Sequence, residues 1–218
     1  MQRWAILVLG VLLGIGSAMA SAAQTLDRAP LLDQLEIVRL ERELLALGAA
    51  GGDARVRLEL DERVVWTGSQ GVVGAAVTDR RLLFVAAGNG TWQEVRFRRD
   101  EKAPTAAWVS DRVVLADTSR RLLGFSGIGG APREYRLGPN EHVEAVEVAE
   151  GVGIAVTDRK ALGYSAQRGG FFEISLEIRE QIESIDVRAE LATLRTNRRL
   201  LVFRGLSGVW SERSLKGS

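Results

Sequence analysis

The sequence predicts an all-β fold built from four similar units of about 39–40 residues. The first observation is a repeated pair of cations, whose second member stands at positions 81, 121, 160 and 199, in steps of 40, 39 and 39 residues. The second is a glutamate at positions 94, 134, 173 and 212, which keeps the same steps. The third is that each unit contains short apolar runs separated by turn-forming residues. Two separate markers with one period indicate an internal repeat.

The first copy shows the unit most clearly. Val77-Thr78-Asp79-Arg80-Arg81-Leu82-Leu83-Phe84-Val85 is followed by a glycine-rich break and then by residues 90–97. Asp, Asn and Gly accept turn dihedrals, so the polar interruptions predict hairpins. Apolar residues on successive positions, as in 153–156 and 200–203, predict strands that are buried on both faces. Such a period with short strands is typical of β-propeller blades. We therefore predict a four-bladed β-propeller-like domain, with blades starting near residues 62, 102, 141 and 180.

The N-terminal stretch predicts export. Residues 1–23 have the pattern of a secretory signal peptide: Arg3, an apolar stretch over 4–15, and small residues that allow cleavage after Ala20 or Ala23. The apolar stretch is shorter than the ~20 residues that cross a bilayer. The chain has no cysteine, which excludes a lipid-modified cysteine and any disulfide. We expect a periplasmic or secreted protein.

Residues 24–53 are predicted to form an N-terminal helix and a linker. Between Pro30 and Leu47, aliphatic residues recur at spacings of three, four and seven, with charged residues between them. This pattern predicts an amphipathic helix over 31–47, which either packs on the end of the propeller or binds a partner. Residues 55–60 then alternate between charged and apolar, which predicts a half-exposed strand. The propeller-like domain is predicted over 54–218.

Composition and the choice of polar residues exclude several functions. Residues 1–23 contain one Arg and no acid, so the remaining chain has 28 cationic and 28 acidic residues. This balance disfavours nucleic-acid binding. His142 is the only histidine, which excludes a multi-histidine metal site, and the lack of cysteine excludes a cysteine nucleophile. The recurring glutamates share one setting, whereas a glycosidase needs two acids in different settings. We predict no enzymatic activity, no metal and no cofactor; a propeller hydrolase is the weakest alternative.

Two copies carry a more specific motif, in which a Thr-Asp/Asn-Arg-Arg turn precedes an aliphatic strand and then a Gly-x-Trp. The stretches are Thr78–Leu83 with Gly90-Thr91-Trp92, and Thr196–Phe203 with Gly208-Val209-Trp210. They resemble the propeller blades of pyrroloquinoline-quinone enzymes, over about 62–218. Pro132 and Phe171 replace the tryptophan in the other copies, and the Ala-x-Asp signature is missing, so cofactor binding is not implied. Periplasmic members of that group without a cofactor act as assembly scaffolds, so the resemblance implies a scaffold with a protein partner.

The candidate binding residues are the cation pairs of the repeated turns. They are Arg80 and Arg81, Arg120 and Arg121, Arg159 and Lys160, and Arg198 and Arg199. Equivalent turns of radially stacked blades point the same way, so these side chains would form a ring of eight cations on one face. Such a ring could hold an anionic lipid headgroup or an acidic glycan. The alternative is that each cation pairs with a neighbouring acid or simply solvates its turn.

Aromatic residues are predicted to pack between and within blades. Trp92, Phe171 and Trp210 share one position of the repeat and are expected to pack as wedges between neighbouring blades. Trp66 and Trp108 fall in the first strands of their blades, which line the axis of a propeller. Two ways of closing the structure stay open: a closed four-bladed ring in one chain, or a larger ring shared by a homodimer. The mass of the mature chain in solution would distinguish them.

Overall fold

The computed structural model describes residues 34–215, which form nineteen strands in five antiparallel sheets. The strands are β1 (Leu35–Arg39), β2 (Glu43–Gly48), β3 (Ala54–Arg57), β4 (Val64–Gln70), β5 (Val73–Thr78), β6 (Arg81–Ala86), β7 (Gln93–Arg96), β8 (Trp108–Val109), β9 (Val113–Asp117), β10 (Arg121–Ser126), β11 (Arg133–Arg136), β12 (Val143–Ala149), β13 (Val152–Thr157), β14 (Lys160–Ser165), β15 (Gly170–Ser175), β16 (Ile182–Arg188), β17 (Leu191–Thr196), β18 (Arg199–Arg204) and β19 (Val209–Ser214). The expected signal peptide lies outside the described residues. No helix in the described range is long and apolar enough to cross a membrane.

Each sheet consists of strands that follow one another in the sequence. Blade 1 contains β1–β3, blade 2 β4–β7, blade 3 β8–β11, blade 4 β12–β15 and blade 5 β16–β19. The first strand of each blade contacts the first strand of the next, so the sheets stack face to face in chain order around their inner strands. This is the architecture of a β-propeller. The repeat is confirmed, and blades 2–5 are the four units that the sequence predicts.

Backbone hydrogen bonds link each blade to the next in the same way. In blades 2–4, an amide at the turn between the first and second strands donates to a carbonyl at the same turn of the following blade; in blade 1 the donor is Gln34, directly before β1. These bonds are Gln34 to Gly71 (2.8 Å), Val72 to Asp111 (2.9 Å), Arg112 to Glu150 (2.9 Å) and Gly151 to Ala189 (3.0 Å). One geometric step therefore relates all five blades.

The predicted amphipathic helix over 31–47 is wrong, and the count of four blades is one too few. In place of the helix, β1 and β2 form a hairpin that β3 extends. The closely spaced aliphatic residues fit a period of two as well as one of 3.6. Leu35, Leu44 and Ala46 are buried against blade 2, and this packing selects the strand. Residues 55–60 were expected to be one strand; β3 covers their start, and Leu60 is in the turn that follows.

Blade 1 is a fifth, divergent copy of the repeat. Its Glu41-Arg42-Glu43-Leu44-Leu45 corresponds to residues 79–83, because the Leu58 amide bonds the Arg42 carbonyl (2.9 Å) as the Phe97 amide bonds that of Arg80 (2.9 Å). The charges are exchanged: Glu43 pairs with Arg55 at 3.3 Å, where blade 2 pairs Arg81 with Glu94. β1–β3 therefore match the second to fourth strands of a full blade.

Side chains of neighbouring blades interlock at one repeated position. A Cβ on Gly124 would lie 2.5 Å from the ring of Tyr164, and one on Gly163 would lie 2.7 Å from the ring of Phe203. These glycines leave room for the aromatic side chain of the following blade. Blade 2 has Phe84 at the same position, and its ring stacks on that of Phe125 with centroids 5.2 Å apart. The core is thus a series of junctions between adjacent sheets.

Blade 5 carries arginines where blade 2 carries apolar residues. On its outward face, Arg195, Arg204 and Arg213 occupy the positions that are Val77, Ala86 and Val95 in blade 2. All three arginines are exposed. A terminal repeat with a polar outer face is typical of a repeat array that ends in solvent.

Candidate functional site

The turns that carry the predicted cation pairs share one hydrogen-bond pattern. In blade 2, the Thr78 hydroxyl donates to the Arg81 carbonyl (3.0 Å) and accepts from the amides of Arg80 (3.1 Å) and Arg81 (2.9 Å). Thr118, Thr157 and Thr196 repeat this pattern in blades 3–5. The threonine fixes the turn, so the two cations of every pair leave the backbone in defined directions.

The second cation of each pair is part of a charge network. Arg81 donates to both carboxylate oxygens of Glu62 (2.9 and 2.9 Å), to Glu94, and to the carbonyl of Arg57 in blade 1 (2.9 Å). Arg121 and Arg199 make the same set of bonds in blades 3 and 5, including one to a carbonyl in the last strand of the preceding blade. These arginines therefore act as links between blades, because their donors are all directed to protein acceptors.

Blade 4 has a lysine at this position. Lys160 reaches the hydroxyl of Tyr135 in blade 3 (2.9 Å) and Glu173 of its own blade (3.4 Å). An ammonium group has no planar fork and cannot repeat the paired bonds of an arginine. The lysine therefore makes fewer hydrogen bonds than an arginine at this position, although Tyr135 itself donates to Glu173 and Arg133 donates to the Gly169 carbonyl (3.1 Å) across the same junction.

The acids of these networks are strongly perturbed. Burial alone would raise the pKa of the Glu180 carboxyl, but hydrogen bonds from Arg199, from the Glu177 amide and from Thr196 outweigh it and lower the pKa to about 2. Burial opposes hydrogen bonds in the same way at Glu62 and Glu101, and their pKa values are also lowered. These carboxylates stay charged at neutral pH.

The first cation of each pair is more exposed. The side chains of Arg80, Arg120, Arg159 and Arg198 are between 40% and 59% exposed. Their acid partners differ: Glu59 at 3.0 Å, Asp100 at 3.8 Å, Asp158 at 3.5 Å and Glu177 at 2.6 Å, respectively. The eight predicted site residues therefore fall into two sets of four, and only the first cations of the pairs face solvent. That these residues bind an anion stays a prediction.

Sequence reasoning missed a second repeated turn, in the connections between blades. In residues 59–62, the Glu59 amide donates to the Glu62 carboxylate (2.7 Å), and the Glu62 amide donates to the Glu59 carbonyl (3.2 Å). Residues 98–101, 138–141 and 177–180 make the same two bonds. The signal was a glutamate at 62, 101, 141 and 180, in steps of 39, 40 and 39 residues. We call the surface formed by these connections and the cation-bearing turns the turn face.

The predicted aromatic wedges are confirmed. The indole N–H of Trp92 donates to the Ala54 carbonyl of blade 1 (3.1 Å), and that of Trp210 donates to the Phe172 carbonyl of blade 4 (2.9 Å). Phe171 contacts the ring of Tyr135 in blade 3. Trp66 and Trp108 lie in β4 and β8, the first strands of their blades, as predicted.

The described residues offer no assembled catalytic set. Each recurring glutamate accepts a hydrogen bond from the second cation of its own blade; the four are Glu94, Glu134, Glu173 and Glu212. His142 is exposed, and its ring nitrogens lie 3.9 Å from Glu144 and from Asp158. Within residues 34–215, no group of three or more acids or histidines could hold a metal ion.

Known proteins resemble this chain only distantly. No protein-family model and no curated protein matches the sequence. Among solved structures, it is similar to yeast RCC1 (Prp20) bound to Kap60, at 11% identity and a TM-score of 0.42, over 79% of this chain and 54% of that chain. It is similar to the N-terminal domain of Nup159 at 11% identity and a TM-score of 0.36, over 83% of this chain and 58% of that chain. It is also similar to Citrobacter koseri AztD at 13% identity and a TM-score of 0.38, over 84% of this chain and 60% of that chain.

These three are β-propeller proteins, and this chain spans little more than half of their length. The stacked sheets and the constant step between them define this chain as a protein of the β-propeller class. A closer relation to the pyrroloquinoline-quinone enzymes stays a prediction.

Proposed function

We propose that this protein is an exported, non-enzymatic β-propeller that binds a protein partner through its turn face. The observation that carries the proposal is a pair of large aliphatic side chains, Leu60 and Ile178, which are 70% and 86% exposed. They occupy the same position in two equivalent connections, between blades 1 and 2 and between blades 4 and 5. Their recurrence at one position of a repeated turn, and not exposure alone, is what favours an interaction surface.

The turns hold these side chains in place before any partner binds. The residue after each of them, Asp61 or Arg179, has a positive φ of 62° or 63°. The glutamate that closes each turn bonds the amide that opens it. Anchors on preorganised turns lose little conformational entropy on binding, which favours affinity. The neighbouring Arg80 and Arg198 add hydrogen-bond donors beside each anchor.

The absence of enzymatic activity is part of the proposal. The buried acids Glu62, Glu101 and Glu180 have lowered pKa values, which suits charged structural partners and does not suit a general acid at neutral pH. Export through residues 1–23 is also proposed, and it is tested by N-terminal sequencing of the mature protein from a periplasmic fraction. Processing after Ala20 or Ala23 is expected; an intact N-terminus in the cytoplasm would contradict export.

We further propose that the mature chain is a monomer. The arginines at 195, 204 and 213 would have to be buried if another blade stacked on blade 5 in the usual register, and within residues 34–215 only Arg195 of the three has an acid partner, Glu183 at 3.0 Å. Sedimentation equilibrium should give the mass of one mature chain. A mass of two chains would instead support a ring that is shared between copies.

The test of the binding face compares two pairs of exposed aliphatic residues. Leu60→Ser/Ile178→Ser removes the anchors of the turn face, and Ile128→Ser/Leu206→Ser removes two exposed side chains from the opposite ends of the blades. Proteins captured from envelope extracts by the wild type and by the control pair should be lost with the first pair. Capture of the same proteins by all three forms would reject the turn face. Turnover of a glycoside or an ester that a single carboxylate substitution abolishes would reject a non-enzymatic role.

A further inference from the structure

The connection between blades 2 and 3 departs from the other three in charge. Its turn begins with Arg98-Arg99, where the first connection has Glu59-Leu60, the third Gly138-Pro139 and the fourth Glu177-Ile178. The two hydrogen bonds of the turn are kept, since the Arg98 amide bonds the Glu101 carboxylate at 2.9 Å and the Glu101 amide bonds the Arg98 carbonyl at 3.0 Å, but Asp100 lacks the positive φ of Asp61, Asn140 and Arg179. Of the four connections, the one between blades 2 and 3 is therefore the one that begins with two adjacent cations.

These two arginines are part of a larger cluster. They line a surface cavity of about 450 Å³ together with Arg80 and Arg96. Arg80 comes from the cation-bearing turn of blade 2, and Arg96 is the last residue of β7. Four guanidinium groups thus meet at one concave part of the turn face, which no composition argument predicts for a chain with balanced charge.

The acids near the cavity are committed to other partners. Glu101 has a fully buried side chain and bonds Arg121 with both oxygens (2.8 and 2.9 Å). Asp79 accepts from the Arg63 amide (3.0 Å) and side chain (3.4 Å).

The remaining acid contacts leave the cluster cationic. Glu59 is shared between Arg80 and Arg96, and Arg96 also lies 3.6 Å from Glu94, which accepts a hydrogen bond from Arg81. Arg98 is 3.4 Å from Glu134, which also binds Arg121. Arg99 makes no ion pair within residues 34–215. The cluster therefore keeps an excess of positive charge that an anion would balance.

We propose that this cluster, Arg80, Arg96, Arg98 and Arg99, binds a phosphate group. Guanidinium forks match the spacing of phosphate oxygens and can bind them in pairs, with stronger hydrogen bonds than neutral donors make. The cavity is open to solvent, so the phosphate can belong to a lipid headgroup at a membrane surface or to a soluble phosphorylated molecule. The proposal shares Arg80 with the proposed protein-binding face but does not rest on that function, whose anchors, Leu60 and Ile178, lie on other connections.

The test replaces the exceptional turn with the sequence of an equivalent one. Arg98→Glu/Arg99→Leu installs the Glu-Leu of residues 59–60 in a turn with the same two hydrogen bonds, so the fold should be kept, and urea unfolding checks this. Arg168→Glu/Arg188→Leu is the control, because it makes the same change in charge with exposed residues of the opposite face. Arg99→Leu alone is a milder variant with no introduced acid.

Binding is measured in two assays with the mature chain. One is flotation with vesicles that contain about 30 mol% phosphatidylglycerol, against vesicles of phosphatidylcholine. The other is calorimetric titration with inorganic phosphate. Wild type and control should bind alike, and the Arg98→Glu/Arg99→Leu variant should bind at least about tenfold more weakly, a loss of ~1.4 kcal/mol. Binding in the first assay alone identifies a lipid headgroup, and binding in the second identifies a soluble phosphate ligand. Binding in neither assay, or an equal loss in the control, would overturn the proposal.

Discussion

Replacement of one buried arginine tests the role of the charge networks most directly. Arg121 is 4% exposed and bonds Glu101, Glu134 and the carbonyl of Arg96 in the preceding blade. Arg121→Met keeps most of the side-chain volume but removes the charge and every one of these bonds. The carboxylate of Glu101, whose side chain is fully buried, is then left without its cation.

The expected loss follows from what remains around Glu101. Removal of one partner of a buried ion pair costs about 3–5 kcal/mol. Glu101 still accepts from the Arg98 amide at 2.9 Å and from the Thr118 hydroxyl, so the lower end applies. We expect Arg121→Met to lower the free energy of unfolding by about 3 kcal/mol. The loss of unfolding free energy in the double variant Arg121→Met/Glu101→Gln should be about 1–3 kcal/mol smaller than the sum of the losses in the two single variants.

Urea unfolding of the mature chain at pH 7 measures these differences. Arg120→Met is the matched control, since the neighbouring Arg120 side chain is 59% exposed and lies 3.8 Å from Asp100. Its effect should be below about 0.5 kcal/mol. If Arg121→Met unfolds within about 1 kcal/mol of the wild type, the network does not link the blades as described.

Three further outcomes can be measured in the same way. Gly163→Ala places a Cβ 2.7 Å from the Phe203 ring and should lower the free energy of unfolding by about 1–3 kcal/mol. Its control, Gly170→Ala, has open space around the new Cβ and should lower it by less than about 0.5 kcal/mol. Equal losses would contradict the interlocked junction. Tyr164→Phe should leave stability unchanged or raise it by up to about 1 kcal/mol, because the buried hydroxyl has no hydrogen-bond partner within residues 34–215, and a clear loss would show that one was missed. The pKa of Glu180 is lowered from 4.5 to about 2, so its contribution is complete above pH 4.5 and is lost as the pH falls toward 2; a urea midpoint that stays constant over this range would contradict it.

The fold was predictable where the copies share residue types. The Thr-x-Arg-Arg turns and the recurring glutamates gave the period, and the period gave blades 2–5. Blade 1 was not predictable in the same way, because Leu40 replaces the threonine of its turn and Glu43 replaces the second cation. Its aliphatic residues satisfy both helical and strand spacing, and only the surface of blade 2 decides between them. A backward search by one period from Leu82-Leu83 to Leu44-Leu45 would have found it.

The candidate site was predictable only in part. The sequence identifies the cation pairs, but alternation along a strand does not say which member meets an acid. Which cation meets an acid depends on Glu62 and its equivalents, which come from the connection to the preceding blade. Glu62 itself stands 19 residues before Arg81. The Arg98-Arg99 cluster was not predictable, because the four connections share the bond that closes the turn while their charges differ.

The single lysine among the linking cations has a mechanical consequence. Lys160 makes fewer hydrogen bonds than an arginine in that place, so amides of β12 should exchange with solvent sooner than those of β4 or β16. The Arg112–Glu190 ion pair joins blade 3 to blade 5 past blade 4, and it should keep these blades together when that joint opens.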